Sequence, residues 1–333
     1  MNKDDNKYSH EEETQMIEES DCCGNGCTNC VLNTGFQKSI NLKKIGKKNV
    51  MSSYRNFRLL NRRSHNPKGK IDSNDKTELS QVLEFHFCID DTLNNATEYY
   101  LDIPIGYHIM MRTKLPTGEL YLRPYSPYWV DALGLEFKIL VNLEPNGHMS
   151  RYMKSLQVGE SVEFRGSIGV YELSKSYDKE RHIFLITQGV AIAPTIRIVQ
   201  HILENEEDVS RVFQLACYKD LEHAFFRDEL IEFNKYWNFK SRIYLAHQRC
   251  PPEMCTDGEC TGKCTWFQDN LFYREIAFTR RLDKFELLDL CSSFNESIEQ
   301  VFLIAGGKTF QETWCATIKN SCVNVLDKNI FLL

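Results

Sequence analysis

Between residue 55 and about residue 177, apolar positions alternate with polar ones in short runs: 57–60, 82–88, 108–112, 120–123, 137–143 and 161–164. Period-two alternation of this kind is what a strand with one buried face requires. Turn-forming groups such as Pro116-Thr117-Gly118 and Pro145-Asn146-Gly147 separate the runs. Short strands with turns at this density predict a small antiparallel barrel. One helix interrupts them, because Met149, Tyr152, Met153 and Leu156 fall at helical spacing, with Gly147 and Ser150 in the first turn. A helix start with exposed N–H groups suits a pyrophosphate.

After His182 the pattern changes. Apolar runs at 183–187, 212–217, 241–246 and 301–304 are each followed by a turn, and three of them lead into a helical pattern. Gln188-Gly189-Val190-Ala191 opens the first helix, which runs through Ile196, Val199 and Leu203. Ala305-Gly306-Gly307 opens the last, which carries Trp314 and Ile318. Strands alternating with helices predict a parallel sheet, with ligand at the carboxyl ends of its strands.

The 333 residues accommodate two domains and an extension. The expected division is 1–50 as a polar, Cys-bearing segment, 51–178 as the barrel, and 179–333 as the α/β domain with a Cys-rich insertion at 250–264. Charge is uneven along the chain. Residues 1–21 hold eight acids against Lys3 and Lys7, whereas residues 22–71 hold no acid and eleven Lys and Arg lie within 38–70. Such a basic block suits an acidic partner, or else a solvated linker beside its own acidic tail. The block has few interleaved aromatics, which argues against nucleic acid. No apolar run reaches the ~18 residues of a spanning helix. With no secretory signal, the expected address is intracellular and cytoplasmic, a mitochondrial one being left open.

Thirteen cysteines in such a chain point to thiols or metal ligands rather than a disulfide framework. Cys22, Cys23, Cys27 and Cys30 lie within nine residues, among Gly and Asn that permit tight turns, and are candidate ligands of one metal ion. Cys250, Cys255, Cys260 and Cys264 form a second group in a Pro/Gly-rich stretch. Reduced thiols are the alternative for both.

Candidate cofactor chemistry centres on Arg123-Pro124-Tyr125-Ser126. The Arg123 fork can pair bidentately with a pyrophosphate. Pro124 has no N–H and is expected to end the strand. Tyr125 offers a ring face to a flat heterocycle, and Ser126 a hydroxyl.

The run 120–127, preceded by 101–109 with its Pro-x-Gly-x-His-Ile pattern, resembles the FAD-binding domain of NADH–cytochrome b5 reductases. Residues 147–152 and 158–166 are similar to that family's Gly-Lys-Met-Ser-Gln-Tyr and Gly-Asp-x-Ile-Glu-Phe-Arg-Gly segments. The patch at 22–30 resembles an oxidoreductase-like N-terminal segment. The resemblance implies a β plus α/β fold of ferredoxin-reductase type, an antiparallel FAD-binding barrel followed by a parallel-sheet nucleotide-binding domain. It implies flavin contacts at Arg123, Tyr125, Ser126, Gly147, His148, Met149 and Ser150, and a Lys138 beside the nicotinamide path. His148 replaces a family Lys, and Leu140 replaces a family Tyr.

The second half departs further. The family's Gly-Gly-Thr-Gly-Ile-Thr-Pro is here Gln188-Gly189-Val190-Ala191-Ile192-Ala193-Pro194, and its Cys-Gly-Pro-Pro is Ala305-Gly306-Gly307-Lys308. Gly189, Pro194 and Gly306 are therefore the expected nicotinamide contacts. The resemblance implies an FAD-dependent NAD(P)H oxidoreductase, with NADH preferred over NADPH, that passes electrons to cytochrome b5 or a similar acidic acceptor. The alternative is a flavin- or metal-binding protein whose nicotinamide site has degenerated.

Overall fold

The computed structural model describes residues 47–65, 81–90, 98–114, 118–169, 171, 179–251, 260–294, 297–321 and 325–333. The cysteines at 22–30, Cys255, and five of the eleven Lys and Arg of the basic block (Lys38, Lys43, Lys44, Lys68 and Lys70) lie outside these residues.

The first half contributes β1 (Lys48–Asn49), β2 (Arg55–Ser64), β3 (Gln81–Ile89), β4 (Tyr99–Tyr100), β5 (His108–Lys114), β6 (Leu120–Tyr125), β7 (Trp129–Asp131), β8 (Glu136–Leu143), α1 (His148–Ser155) and β9 (Ser161–Ile168). Seven of the strands form one antiparallel sheet in the order β6-β5-β9-β2-β3-β8-β7, while β1 and β4 pair separately. In a flat sheet, β9 and β8 would stand three strand spacings apart, about 14 Å. Yet the rings of Phe164 on β9 and Phe137 on β8 meet with centroids 5.0 Å apart. The sheet has therefore curled into a barrel. Phe57 and Phe87 complete the aromatic centre, with rings 5.2 and 5.6 Å from Phe137. Met149 and Met153 of α1 close one end of this core. Removing one of the buried rings would cost about 3–5 kcal/mol.

Pro124 does not end its strand. β6 continues to Tyr125, which pairs with Ile109, and Pro124 itself pairs with Met110. β6 is an edge strand, where a missing N–H need cost no ladder bond.

The second half contributes β10 (Arg181–Gln188), α2 (Ala193–Glu204), β11 (Arg211–Tyr218), α3 (Arg227–Phe233), β12 (Phe239–Leu245), α4 (Thr265–Asp269), β13 (Ala277–Phe278), α5 (Lys284–Ser292), β14 (Glu299–Ala305), α6 (Lys308–Ser321) and β15 (Ile330–Leu332). All six strands are parallel, in the order β13-β12-β11-β10-β14-β15. Side chains alternate strictly: Ile183 and Leu185 face α2, whereas Phe184 and Ile186 face α5 and α6. The short β13 and β15 carry too few residues for a legible pattern. β15 exists because the chain end lies along β14, where the Leu333 N–H donates to the Ile304 carbonyl at 2.9 Å.

The two halves share a core. Val82 and Leu140 of the barrel, and Tyr171 after it, are buried in one cluster with Ile192, Ile196 and Leu303 of the α/β layer. The Arg197 guanidinium donates to the Ile103 carbonyl at 2.8 Å, and the ring of Tyr128 packs on Phe226 at 5.0 Å. Beside that contact Glu84 accepts a hydrogen bond from the Tyr128 hydroxyl at 2.6 Å and lies 3.4 Å from the His65 ring.

Candidate functional site

β6 and the start of α1 come together at the barrel's edge. Arg123 folds back on Tyr121, its guanidinium lying over that ring at 4.2 Å, donating to the Tyr121 hydroxyl and to the Leu122 carbonyl at 2.8 Å. The Tyr121 ring also stands 5.6 Å from the ring of His148, the first residue of α1. Arg151, one turn on, donates to His148 Nδ1 at 3.1 Å. A charged guanidinium therefore stands beside the position where the expected lysine is missing. Neither Tyr121 nor Arg151 was singled out from sequence, although their spacing from Arg123 (i−2 on a strand) and His148 (i+3 on a helix) puts each on the same face.

The helix start itself carries no side-chain cap. Gly147 occupies the cap position because an added Cβ would come within 2.9 Å of Ser150 Oγ. That hydroxyl accepts the Glu144 N–H at 3.0 Å, which fixes the turn before the helix. Met149 is buried in the barrel core at 3% exposure, so only its backbone N–H is available to a ligand. A helix start with no side chain of its own over the first N–H groups, flanked by Arg123 and Arg151, has the donor set a pyrophosphate needs. The residues present fit the phosphate end of a dinucleotide such as FAD.

Tyr125 and Ser126 follow on the same edge, half-buried, with Tyr125 against the barrel core. Burial pushes the Tyr125 phenol above its usual range, so it is a neutral ring. Lys138 lies opposite Trp129 in the β7–β8 pair, its Nζ over the indole at 4.9 Å. Two residues further on the same face, Leu140 is buried at 7% exposure by the α/β layer. The apolar side chain that stands in place of an aromatic is thus part of the seam between the halves.

At the carboxyl end of β10, Gly189 has φ +57, and a Cβ there would meet nothing within 4 Å. Glycine is required by the backbone, and the space above it is open. Pro194 sits at the start of α2, buried with Thr195. Thr195 donates to the Ile192 carbonyl at 2.7 Å and to Gln214 Oε1 at 3.0 Å, while the Gln214 amide donates to Thr187 Oγ1 at 2.9 Å. This buried network holds the β10–α2 turn from below. Across the gap, Gly306 is packed so that a Cβ would lie 2.7 Å from the Phe310 ring and 3.0 Å from Gln188 Cβ. The Gln188 carboxamide accepts the Gly307 N–H at 3.2 Å. β10 and β14 are adjacent strands whose connections leave in opposite directions, which is where an open α/β sheet forms its ligand crevice.

A cavity of about 530 Å³ lies beyond the ends of β11 and β12, lined among others by Lys219, Asp220, His247, Arg249 and Trp266. Asp220 is fixed by His223, whose backbone N–H and ring both bond its Oδ1, at 3.0 and 2.6 Å. Sequence reading missed this wall, because its residues are drawn from two loops about 30 positions apart and from α4.

A family model described as an oxidoreductase FAD-binding domain matches residues 74–173. That match covers the strands carrying Arg123, Tyr125, Ser126 and the α1 start. Residues 74–173 thus carry an oxidoreductase FAD-binding domain, and the chain as a whole is similar to cytochrome b5 reductase-like proteins. It is 24% identical over 302 residues to a Mus musculus protein named NADH-cytochrome b5 reductase-like, covering 86% of this chain and 90% of that one. NADH-cytochrome b5 reductase 1 of Lodderomyces elongisporus is 33% identical over 159 residues, 48% of this chain and 52% of that one. The same fold is found in the cytochrome b5 reductase domain of Ulva prolifera nitrate reductase (TM-score 0.57, 17% identity, 86% of this chain and 100% of that one). It recurs also in the CS-b5R domains of human Ncb5or (TM-score 0.63, 15% identity, 84% and 69%). Among the described residues no helix is long and apolar enough to cross a membrane.

Proposed function

We propose that the chain is an NADH-dependent FAD oxidoreductase that hands electrons to cytochrome b5 or a similar acidic one-electron acceptor. The observation that carries the reading is the shared core at Leu140 and Ile192, which holds the outer face of β8 against the turn after β10. A flavin on the barrel edge and a nicotinamide in the β10/β14 crevice would then face one another. The relatives named for NADH and cytochrome b5 support the same reading.

In this reading Arg123 and the N–H groups of residues 147–150 hold the pyrophosphate of FAD, with His148 and Arg151 beside them. Tyr125 and Ser126 orient the ring system, and Lys138 lies on the approach. Bound FAD would supply the exchange between two-electron and one-electron chemistry. Gly189 keeps the β10 turn clear, while Pro194 and the Gln214 network keep it rigid. Gly306 permits the close approach of β14 to Gln188. The nearby cavity wall carries Asp220 and Glu222 but also Lys219 and Arg249, so the preference for NADH over NADPH rests on the names of the relatives.

For the acceptor, the described part of the basic block is partly committed internally. Arg58 pairs with Asp90 at 2.8 Å, and Arg62 donates to the Lys154 and Leu156 carbonyls at 2.8 and 3.0 Å. Lys48 and Arg63 stay exposed and are the described residues best suited to an acidic partner. Turnover with cytochrome b5 should therefore fall as salt rises.

An anaerobic absorbance spectrum of the purified chain, before and after NADH, tests the reading. Bleaching of bound flavin is the expected result. An oxidised spectrum unchanged over minutes in millimolar NADH and NADPH would leave the alternative, a flavin-binding protein with a degenerate nicotinamide site.

A further inference from the structure

The stretch between β12 and β13 brings three cysteine sulfurs to one point. Cys264 Sγ lies 3.3 Å from Cys250 Sγ and 3.3 Å from Cys260 Sγ, and all three sulfurs are within 4.8 Å of one another. We propose that Cys250, Cys260 and Cys264 bind a single zinc ion that fastens this stretch to the α/β core, independently of the flavin site.

The base that carries the sulfurs is fixed. Gln248, buried, accepts the Leu221 N–H at 2.8 Å through its side chain and the Cys260 N–H at 3.0 Å through its carbonyl. Cys260 is 4% exposed and belongs to the core that includes Leu245 and Phe267, with Cys250 and Cys264 packed against it. Gly262, at φ +79, turns the chain between Cys260 and Cys264, and the Gln268 amide donates to its carbonyl at 2.6 Å. The far arm is anchored by Arg227, which pairs through two nitrogens with Glu275 and donates to the Asn270 carbonyl at 2.7 Å.

The distances fit one tetrahedral ion. With Zn–S near 2.3 Å, sulfurs on two corners stand about 3.8 Å apart, between the shortest and longest separations allowed here. An iron–sulfur cluster spreads its cysteines over different irons, whereas these converge. A disulfide could use only one of the two partners that Cys264 holds at equal distance. Backbone donors already face the sulfurs: Gly262 N–H points to Cys260 Sγ at 3.3 Å and Phe267 N–H to Cys264 Sγ at 3.4 Å. Three thiolates leave one position of the ion for a further ligand.

Two measurements on the full chain test the proposal. In the first, zinc per chain is compared between the unaltered protein and Cys264→Ser, with bound flavin as the check that the barrel is folded. One equivalent of zinc should be lost while flavin content stays the same. In the second, thiols of the unaltered zinc-loaded protein are alkylated and mapped by peptide mass spectrometry. Cys250, Cys260 and Cys264 should react at least about tenfold faster once a strong chelator is added, because coordination withdraws the thiolate from attack. Equal zinc in the two proteins, or alkylation of the three at the same rate with and without chelator, overturns the proposal. Should Cys264→Ser fail to fold, the alkylation result decides.

Discussion

Gln188 and Gly307 are joined across the sheet, the Gln188 carboxamide accepting the Gly307 N–H at 3.2 Å and so lying over the crevice between β10 and β14. The side chain stands where the motif that this stretch resembles has glycine, and it takes up an N–H at the mouth of the proposed nicotinamide site. Gln188→Gly should clear that mouth. We predict a several-fold lower half-saturation for NADH in anaerobic flavin bleaching, with an unchanged flavin spectrum. The lost hydrogen bond should lower stability by about 0.5–1.5 kcal/mol in denaturant titration. A raised half-saturation would mean that the carboxamide helps hold the nucleotide.

Arg123 is positioned by Tyr121 before any ligand arrives. Arg123→Ala removes the charge and should weaken FAD binding by about 1.5–3 kcal/mol, or roughly 10- to 150-fold. Tyr121→Phe keeps the ring under the guanidinium but removes its hydroxyl, and should cost less. Fluorescence titration of the apoprotein with FAD gives both values, and equal losses would show that the hydroxyl alone orders the arginine.

Two groups set separate pH windows. Burial lowers the His108 imidazole from 6.5 to about 4, so the folded chain resists a proton that the unfolded chain accepts. Stability from this residue should therefore be lost as pH falls from about 6.5 to 4. Hydrogen bonding from His65 holds Glu84 down at about 2 against an ordinary 4.5, with Tyr128 contributing. Its contribution is present above about 4.5 and lost as pH falls toward 2. Thermal melts across pH should show His108→Asn flattening only the upper window and Glu84→Gln only the lower.

Leu140 lies at the seam between the two halves, 7% exposed. Leu140→Ala should destabilise by about 2–3 kcal/mol, the lower part of the range for buried leucines, because a seam can close more readily than a deep core. If the seam couples the halves, the variant should also separate a single melting transition into two. A single transition at the original temperature would show that Leu140 contributes little to holding them together.

Much of the fold was legible in the sequence. Strands β2, β3, β5, β6, β8 and β9, the helix α1, and the alternation from β10 to α3 follow from apolar spacing alone, because one-sided burial imposes period two on a strand and 3.6 on a helix. Gly189 and Gly147 were legible only as motif glycines; the positive φ of the first and the cap position of the second come from the folded backbone. The tertiary structure decided which residues meet across long sequence distances. Met149 falls on the apolar helical face in the sequence, and its side chain lies in the barrel core. Sequence read Leu140 as a lost aromatic, but the α/β layer covers it and makes it part of a shared core. Arg151 beside His148, Gln188 across to Gly307, and the convergence of Cys250, Cys260 and Cys264 depend on how strand ends and loops are brought together. A linear pattern reports which face of an element is apolar; it carries no record of what another segment places opposite that face.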